Sequence, residues 1–118
     1  FMPSLVELCS AHCRPLRGTE HLLTAVERES AMRALPDWKV IEDDRAIQRR
    51  VDFPGYYQTM AFVNALAFIA HAEDHHPDLS VHYGHVLIRY STHDVGGLSR
   101  NDVICAAKVE QLLASRSR

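Results

Sequence analysis

The sequence predicts an α+β domain in which a four-stranded antiparallel sheet carries three helices on one face, in the order α-β-β-α-β-β-α. Three observations lead to this class. The chain has 118 residues, enough for one hydrophobic core. Three segments have the apolar spacing of amphipathic helices, and between them lie two pairs of segments in which apolar and polar residues alternate as in hairpins. Helices on one face of such a sheet bury both apolar surfaces.

The first helix and the first hairpin are predicted in the first half of the chain. Thr24 and Glu27 have the spacing of a capping box, in which a hydroxyl caps the helix and a carboxylate three residues later returns the hydrogen bond. Pro36 ends this helix at the preceding residue, because proline lacks the amide hydrogen that a helix needs. Residues 38–41 and 46–53 then read as two strands around an acidic turn.

A long central helix is predicted over residues 56–74, ahead of the second hairpin. Its apolar side chains recur at helical spacing and supply one buried stripe. Pro77 disfavours the α conformation of the residue before it, so the helix must end near His75. Residues 79–82 and 85–92 follow as paired strands around a Tyr-Gly turn. In the second of these strands the alternation places three side chains on one face, those of Val86, Ile88 and Tyr90.

The final helix is predicted to begin after Ser99, with Asp102 completing a second capping box. Residues 1–22 precede all of these elements and are broken by prolines and a glycine, so we expect an irregular N-terminal arm with a short helical turn. Residues 23–118 are then one domain, without an internal repeat, linker or low-complexity segment.

The composition excludes several classes of function. The net charge is −2 with neutral histidines, so the sequence lacks the basic surface of a nucleic-acid-binding protein. No apolar run reaches the roughly 18 residues of a membrane-spanning helix, and no signal-peptide pattern is present. Three cysteines are an odd number without a disulfide framework. We therefore expect a cytoplasmic protein without nucleic-acid or membrane partners.

Histidines are concentrated in the second half of the chain, where six of the eight lie between positions 71 and 93. Imidazole donates or accepts a proton near neutral pH without a large pKa shift, so the cluster is typical of proton-transfer chemistry. His71 and His75 are four residues apart and would share one face of a helix. His76 lies at the expected helix end and His93 at the expected strand end, so these groups can meet at one rim of the domain.

Two other interpretations of this cluster stay open. The histidines could be solvated residues at a helix end, without a chemical role. Alternatively, His71 and His75 have the spacing of zinc ligands, although the glutamate that zinc proteases need after the first histidine is missing. His93 or Glu73 would then be a further ligand. Asp102 also has two roles open to it, as a helix cap or as a carboxylate that orients His93.

A longer pattern of motifs joins these residues. It consists of Asp74-His75-His76-Pro77-Asp78, then Tyr83, then Tyr90-Ser91-Thr92-His93, and finally Gly97-Leu98-Ser99 with Asp102. With these motifs at these spacings, the chain resembles the pterin-4a-carbinolamine dehydratase family over roughly residues 23–113.

The resemblance implies the fold predicted above and an activity. Enzymes of the family remove water from 4a-hydroxytetrahydropterin to give quinonoid dihydropterin, in the recycling of the tetrahydrobiopterin-type cofactor of aromatic amino-acid hydroxylases. The pterin is the substrate, and no metal and no bound cofactor are implied. By the family pattern His75, His76 and His93 line the pterin pocket. We expect His76 and His93 to lie nearest the reacting centre, with His75 binding the pterin and sharing the proton transfer. The expected supporting residues are His71, Glu73, Asp74, Pro77, Ser91, Thr92 and Asp102.

The chain departs from the family pattern at two positions. His71 stands where many members have a glutamate, and Leu79 stands where an aromatic residue often follows the histidine motif. Ser91 and Thr92 match the pattern, and we expect them to contact the amide edge of the pterin.

The resemblance also implies partners. A homodimer or homotetramer is expected, together with a functional link to an aromatic amino-acid hydroxylase. Animal members also act as dimerisation cofactors of a homeodomain transcription factor. A non-catalytic dimerisation or coactivator module on the same fold is therefore the alternative function.

Overall fold

The structure is a computed structural model that describes residues 4–115. Its four strands form one antiparallel sheet in the order β1-β2-β4-β3, with the core between the sheet and the helices. The predicted class and the order of three helices and two hairpins are confirmed, and one further short helix precedes them. The strands are β1 Lys39–Ile41, β2 Ala46–Asp52, β3 Asp78–Val81 and β4 His85–Tyr90. The helices are α1 Leu5–Ser10, α2 Ala25–Ala34, α3 Tyr56–Glu73 and α4 Arg100–Ser115, with 3-10 turns at Thr19–His21 and His93–Val95.

The hydrophobic core fixes the central strand β4 against α4. On β4 the side chains of Val86, Ile88 and Tyr90 are fully buried, while the residues between them are half-buried, as the predicted alternation requires. Val51 of β2 pairs with Val86 in register, and Val103 of α4 is buried in the same core. Burial of one such aliphatic side chain stabilises the fold by about 1.5–3 kcal/mol. β4 and α4 therefore form a rigid base for the loop that joins them.

The predicted start of α2 is confirmed. Thr24 Oγ1 accepts a hydrogen bond from the Glu27 amide at 3.2 Å, and the Glu27 carboxylate accepts one from the Thr24 amide at 2.9 Å. A cap of this kind stabilises a helix by about 1 kcal/mol. The helix ends at Ala34, shortly before Pro36, as expected.

The central helix α3 ends before His75. Its last residue is Glu73, and Asp74 has left-handed backbone angles, with φ 49° and ψ 43°. The Asp74 amide donates to the carbonyl of His71 at 3.2 Å. The His75 amide donates to the carbonyl of Ala70 at 3.1 Å. These two bonds make a Schellman termination, which turns the chain sharply. The prediction that His71 and His75 share a helical face is therefore wrong, because His75 lies beyond the helix.

The loop from β4 to α4 is tighter than predicted. β4 ends at Tyr90, and His93 lies in a 3-10 turn rather than at the end of a strand. The amide of Thr92 donates to the carbonyl of Gly97 at 2.8 Å, which closes the loop on itself. Gly96 has a φ of 87°, a conformation that favours glycine. The closed loop brings Thr92 close to the start of α4.

The N-terminal arm lies against α4 and includes an ordered helix. A capping box of Ser4 and Glu7 starts α1, and Leu8 of this helix is fully buried in the core. After α1 the arm continues without regular structure to the 3-10 turn at Thr19–His21. Among the described residues, no helix is both long and apolar enough to span a membrane.

Candidate active site

A buried carboxylate, that of Asp102, lies in the first turn of α4. The amide of Ser99 donates to Asp102 Oδ2 at 2.9 Å, which is one of the two bonds of the predicted capping box, whereas Ser99 Oγ accepts from the Asn101 amide at 3.2 Å. The Thr92 hydroxyl donates to the same oxygen at 2.7 Å and lies 2.6 Å from Ser99 Oγ. Asp102 is 0% exposed. Its charge is stabilised there by these hydrogen bonds and by the amide dipoles of the helix N-terminus.

The second oxygen of Asp102 binds His75. Asp102 Oδ1 lies 2.7 Å from Nε2 of the imidazole, whose side chain is 12% exposed. The ring also lies almost parallel to that of Tyr90, with centroids 5.8 Å apart and planes 10° from parallel. The Schellman termination of α3 turns His75 inward, and the carboxylate and the aromatic ring then hold its imidazole in one orientation.

This hydrogen bond decides which imidazole nitrogen is free for chemistry. An ionised carboxylate only accepts hydrogen bonds, so Nε2 of His75 carries the proton that it donates to Asp102. In the neutral ring Nδ1 is then unprotonated, with a lone pair that can accept a proton from a ligand. The carboxylate also stabilises the imidazolium that proton uptake produces. The pair is thus arranged for proton transfer at Nδ1.

Uncharged side chains form the wall behind this pair. Burial raises the pKa of the Tyr90 phenol, and its hydroxyl has no hydrogen-bond partner among the described residues. The sulfurs of Cys13 and Cys105 lie 3.5 Å apart, and this contact together with burial raises the pKa of the Cys105 thiol. Tyr90 and Cys105 therefore stay protonated at neutral pH. A wall of low polarity strengthens the hydrogen bond between His75 and Asp102.

The other two predicted catalytic histidines lie at the surface beside this pair. His76 directly follows His75, and His93 directly follows Thr92, so each is the chain neighbour of a residue in the hydrogen-bond network. Consecutive Cα atoms are about 3.8 Å apart. Both side chains are exposed. The backbones of all three histidines therefore lie next to one hydrogen-bond network, in which the His75 ring is held while the His76 and His93 side chains are exposed.

Two expectations about the loop from β4 to α4 need correction. Asp102 does not orient His93, because its oxygens are occupied by His75, the Thr92 hydroxyl and the Ser99 amide. Thr92 is buried with its hydroxyl on Asp102, so its side chain supports the site rather than facing a ligand.

The Ser91 hydroxyl is also occupied. It donates to the carbonyl of Arg45 at 2.7 Å, so its proton is not free for the amide edge of a ligand. The bond instead ties the end of β4 to the turn before β2.

The remaining supporting residues lie around the end of α3. The Glu73 carboxylate faces the N-terminal arm and accepts the Cys13 amide at 2.8 Å. Asp74 is exposed and terminates the helix, and His71 is exposed on its last turn. Pro77 is half-buried and leads into β3.

The zinc interpretation required His71 and His75 on one helical face. His71 is exposed on α3, whereas His75 turns inward to Asp102. Across the part of the chain that the structure describes, no three His, Cys, Asp or Glu side chains converge as metal ligands would.

Two functional contacts escape the sequence analysis. Tyr90 is predicted only as a buried strand residue, and its place under the His75 ring depends on the turn at Asp74. Asn101 gives no signal in the sequence, although its side chain binds the backbone of Arg14 in the N-terminal arm.

Comparison with known proteins agrees with this fold and site. The family described as pterin 4 alpha carbinolamine dehydratase matches residues 21–112. Relatives include a protein of Xanthomonas campestris pv. campestris (strain 8004), 56% identical over 111 residues, and one of Xanthomonas oryzae pv. oryzae (strain PXO99A), 53% identical over 111 residues. Both carry the provisional name pterin-4-alpha-carbinolamine dehydratase, and each alignment covers 94% of this chain and 94% of the relative.

Two solved structures are similar as well. A Brucella melitensis protein described as a transcriptional coactivator/pterin dehydratase is 30% identical with a TM-score of 0.74, over 77% of this chain and 97% of that chain. A pterin dehydratase-like protein, identified as a RuBisCO assembly factor in the alpha-carboxysome, is 26% identical with a TM-score of 0.56, over 64% and 88% of the two chains. Sequence and fold lead to the same conclusion: the chain belongs to the pterin 4 alpha carbinolamine dehydratase family.

Proposed function

We propose that this protein is a dehydratase that removes water from 4a-hydroxytetrahydropterin and gives quinonoid dihydropterin. The catalytic groups are His75, His76 and His93, which act by acid–base chemistry without a metal or a bound cofactor. The physiological setting is the recycling of a tetrahydrobiopterin-type cofactor for an aromatic amino-acid hydroxylase in the cytoplasm. The family and the names of its relatives support the class of reaction.

The hydrogen bond between His75 and Asp102 is the observation that carries the proposal. A solvated histidine at a helix end would be exposed and would need no carboxylate. Burying an ionised carboxylate costs several kcal/mol unless hydrogen bonds compensate, and here three donors converge on Asp102. An imidazole oriented by a buried carboxylate is an arrangement expected of a proton-transfer site, and His76 and His93 adjoin this network along the chain.

The reaction needs two proton transfers on one small bicyclic molecule. A proton is delivered to the 4a hydroxyl, the bond from carbon 4a to oxygen breaks, and water leaves. The adjacent ring nitrogen loses its proton as its double bond to carbon 4a forms. We assign His76 and His93 to the positions nearest these atoms, while His75 binds the pterin and exchanges a proton at Nδ1. General acid–base catalysis of this kind typically contributes about 10²–10⁴-fold to the rate.

The direct test is the dehydration rate of chemically prepared 4a-hydroxytetrahydropterin, followed by absorbance after the protein has been treated with a chelator. We expect the acceleration to resist the chelator and to fall by about 10²-fold in His76→Ala and in His93→Ala. His21→Ala changes an exposed histidine of the N-terminal arm and is the matched control, which should keep the wild-type rate.

Two results would count against the proposal. Folded wild-type protein that does not accelerate the reaction would show that the fold serves another ligand or partner. Activity that is lost on chelation and restored by zinc would replace histidine acid–base catalysis with metal chemistry.

A non-catalytic binding module is the second candidate function. The descriptions of the Brucella protein as a coactivator and of the carboxysome protein as an assembly factor favour it. β3 is an edge strand whose four residues are all exposed, Leu79 and Val81 among them, and an exposed edge can pair with another chain.

We propose a homodimer or homotetramer under either function. The dehydration rate and the sedimentation of His93→Ala together separate the two functions, because a catalytic role predicts lost dehydration with unchanged assembly.

A further inference from the structure

We infer that residues 4–18 form an N-terminal strap that positions the catalytic groups, with Glu73 and Asn101 as the positioning residues that it holds. The inference rests on the proposed function. The strap precedes residue 21, where the family match begins, so it adds contacts to the site from outside the matched segment.

The first contact of the strap is with the end of α3. The Cys13 amide donates to Glu73 Oε1 at 2.8 Å, and His12 Nδ1 lies 2.9 Å from Oε2. The Glu73 side chain is 8% exposed and that of His12 is 77% exposed, so the bond from the Cys13 amide is partly buried whereas the bond to His12 lies at the surface. Glu73 lies two residues before His75, at the start of the turn that directs His75 inward. Because only one residue separates Glu73 from His75 and the backbone turns sharply there, a displacement of Glu73 also displaces His75.

The second contact is with the start of α4. Asn101 accepts the Arg14 amide on Oδ1 at 3.2 Å and donates from Nδ2 to the Arg14 carbonyl at 2.7 Å. The Asn101 residue is 6% exposed, and it directly precedes Asp102. One side chain thus clamps the backbone of the strap beside the carboxylate that holds His75.

The third contact is with the loop that carries His93. The Gly18 amide donates to the carbonyl of Asp94 at 3.0 Å, and Asp94 directly follows His93. Just after the strap, the Leu23 amide donates to the carbonyl of Leu98 at 2.9 Å, one residue before Ser99. The chain therefore contacts this loop in its middle and near its C-terminal end.

The strap is anchored before it reaches the site. Leu8 is fully buried in the core, and Lys108 Nζ donates to the carbonyl of Cys9 at 2.8 Å. The Cys9 thiol donates to the carbonyl of Ala107 at 3.2 Å. These contacts hold the first half of the strap against α4, and the residues that contact the site follow it in the chain.

The contacts of the strap at Glu73, Asn101 and Asp94 thus fall within two residues of His75, Asp102 and His93, which belong to three separate segments of the chain. A segment that only covered the core would have no need of hydrogen bonds at these three places. Small misplacements of catalytic groups are costly, since an error of about 1 Å can lower a rate by 10²-fold. The strap reduces the freedom of the three segments relative to one another.

The test compares variants that release the strap with one that retains its main bond. Glu73→Ala and Asn101→Ala remove the acceptors of the Cys13 and Arg14 amides, whereas Glu73→Gln keeps an oxygen for Cys13. Two quantities are measured on fully folded protein: kcat and KM for dehydration, and the ¹⁵N shifts of the His75 ring, which report how often Nε2 carries the proton. Glu29→Ala and Asn64→Ala, at exposed helical positions, are the matched controls.

We expect kcat to fall about fivefold to tenfold in both alanine variants with KM changed less than about twofold, because positioning and not binding is lost. The Nε2-protonated fraction of His75 should fall in parallel, and Glu73→Gln should recover most of both quantities. Unchanged kcat and unchanged His75 shifts, with only a lower melting temperature, would overturn the inference. If wild-type protein does not dehydrate the pterin, the proposed function fails, and the His75 shifts still decide whether the strap positions this ring.

Discussion

At the scale of single residues, Glu73 and Asp102 show how hydrogen bonds accommodate a carboxylate that has little exposed surface. Each accepts a hydrogen bond from a backbone amide and at least one further donor. Burial acts to raise the pKa of Glu73, but the Cys13 amide and two neighbouring basic side chains outweigh it and hold this pKa below its ordinary value of 4.5. The charge of Glu73 therefore links the stability of the fold to pH.

We predict that Glu73 contributes stability that is lost in acid. Because its pKa is lower in the folded chain, the unfolded chain binds a proton first as the pH falls. The contribution is therefore present above about pH 4.5 and disappears as the pH falls through the folded-state pKa. Urea unfolding of wild type and Glu73→Gln between about pH 3 and pH 7 measures it, with Glu29→Gln as the exposed control.

The difference in unfolding free energy between wild type and Glu73→Gln should be largest near neutral pH and shrink toward pH 3. A difference that does not change with pH would show that the charge of Glu73 has no part in stability.

At the scale of elements, the end of α3 decides where His75 points. Pro77 correctly predicts that the helix ends nearby, but the histidine spacing alone places His75 on the helix. The left-handed Asp74 could not be predicted, because Asp is only one of several residues that tolerate this conformation and no glycine marks it. With Asp74 in that conformation, His75 leaves the helical face that the spacing predicts and becomes the half-buried partner of Asp102.

The termination of α3 gives a prediction about stability. Asp74→Gly should keep the Schellman turn and raise the unfolding free energy by up to about 1 kcal/mol, because glycine adopts left-handed angles without a Cβ clash. Asp74→Val should lower it by about 1–2 kcal/mol, since a β-branched residue is disfavoured there. Thermal unfolding measures both, and Asn64→Gly in the exposed middle of α3 should be destabilising. Equal melting temperatures for the glycine and valine variants would contradict this account of the turn.

At the scale of the whole molecule, the hydrophobic core fixes the sheet and helices relative to one another, and hydrogen bonds between residues distant in sequence complete the site. Alternation along β4 correctly predicts that Val86, Ile88 and Tyr90 face the core, because burial of one sheet face leaves a periodic signal. The bonds from Cys13 to Glu73 and from Arg14 to Asn101 leave no such signal. They involve backbone amides and join residues far apart in the chain, so the local sequence pattern does not predict them.

The whole site should show a pH-dependent rate. At least one imidazole must be neutral to accept a proton, and an imidazole ordinarily ionises near pH 6.5, so we expect activity to fall as the pH drops below about 6. The measurement is kcat for dehydration across this range, on protein shown to be folded at each pH. A flat profile from about pH 5 to pH 8 would argue against histidine acid–base catalysis.

The most direct test of the central claim is kcat for 4a-hydroxytetrahydropterin dehydration by Asp102→Asn, with Asp43→Asn in an exposed turn as the matched control. The amide oxygen of the substituted side chain can still accept the Thr92 and Ser99 bonds, so the variant should fold. Its NH₂ group would face Nε2 of His75 and favour the opposite tautomer, with the proton on Nδ1. We predict that kcat falls by about 10²-fold with little change in KM. A kcat within about twofold of wild type would contradict the claim that an Asp102-oriented His75 takes part in catalysis.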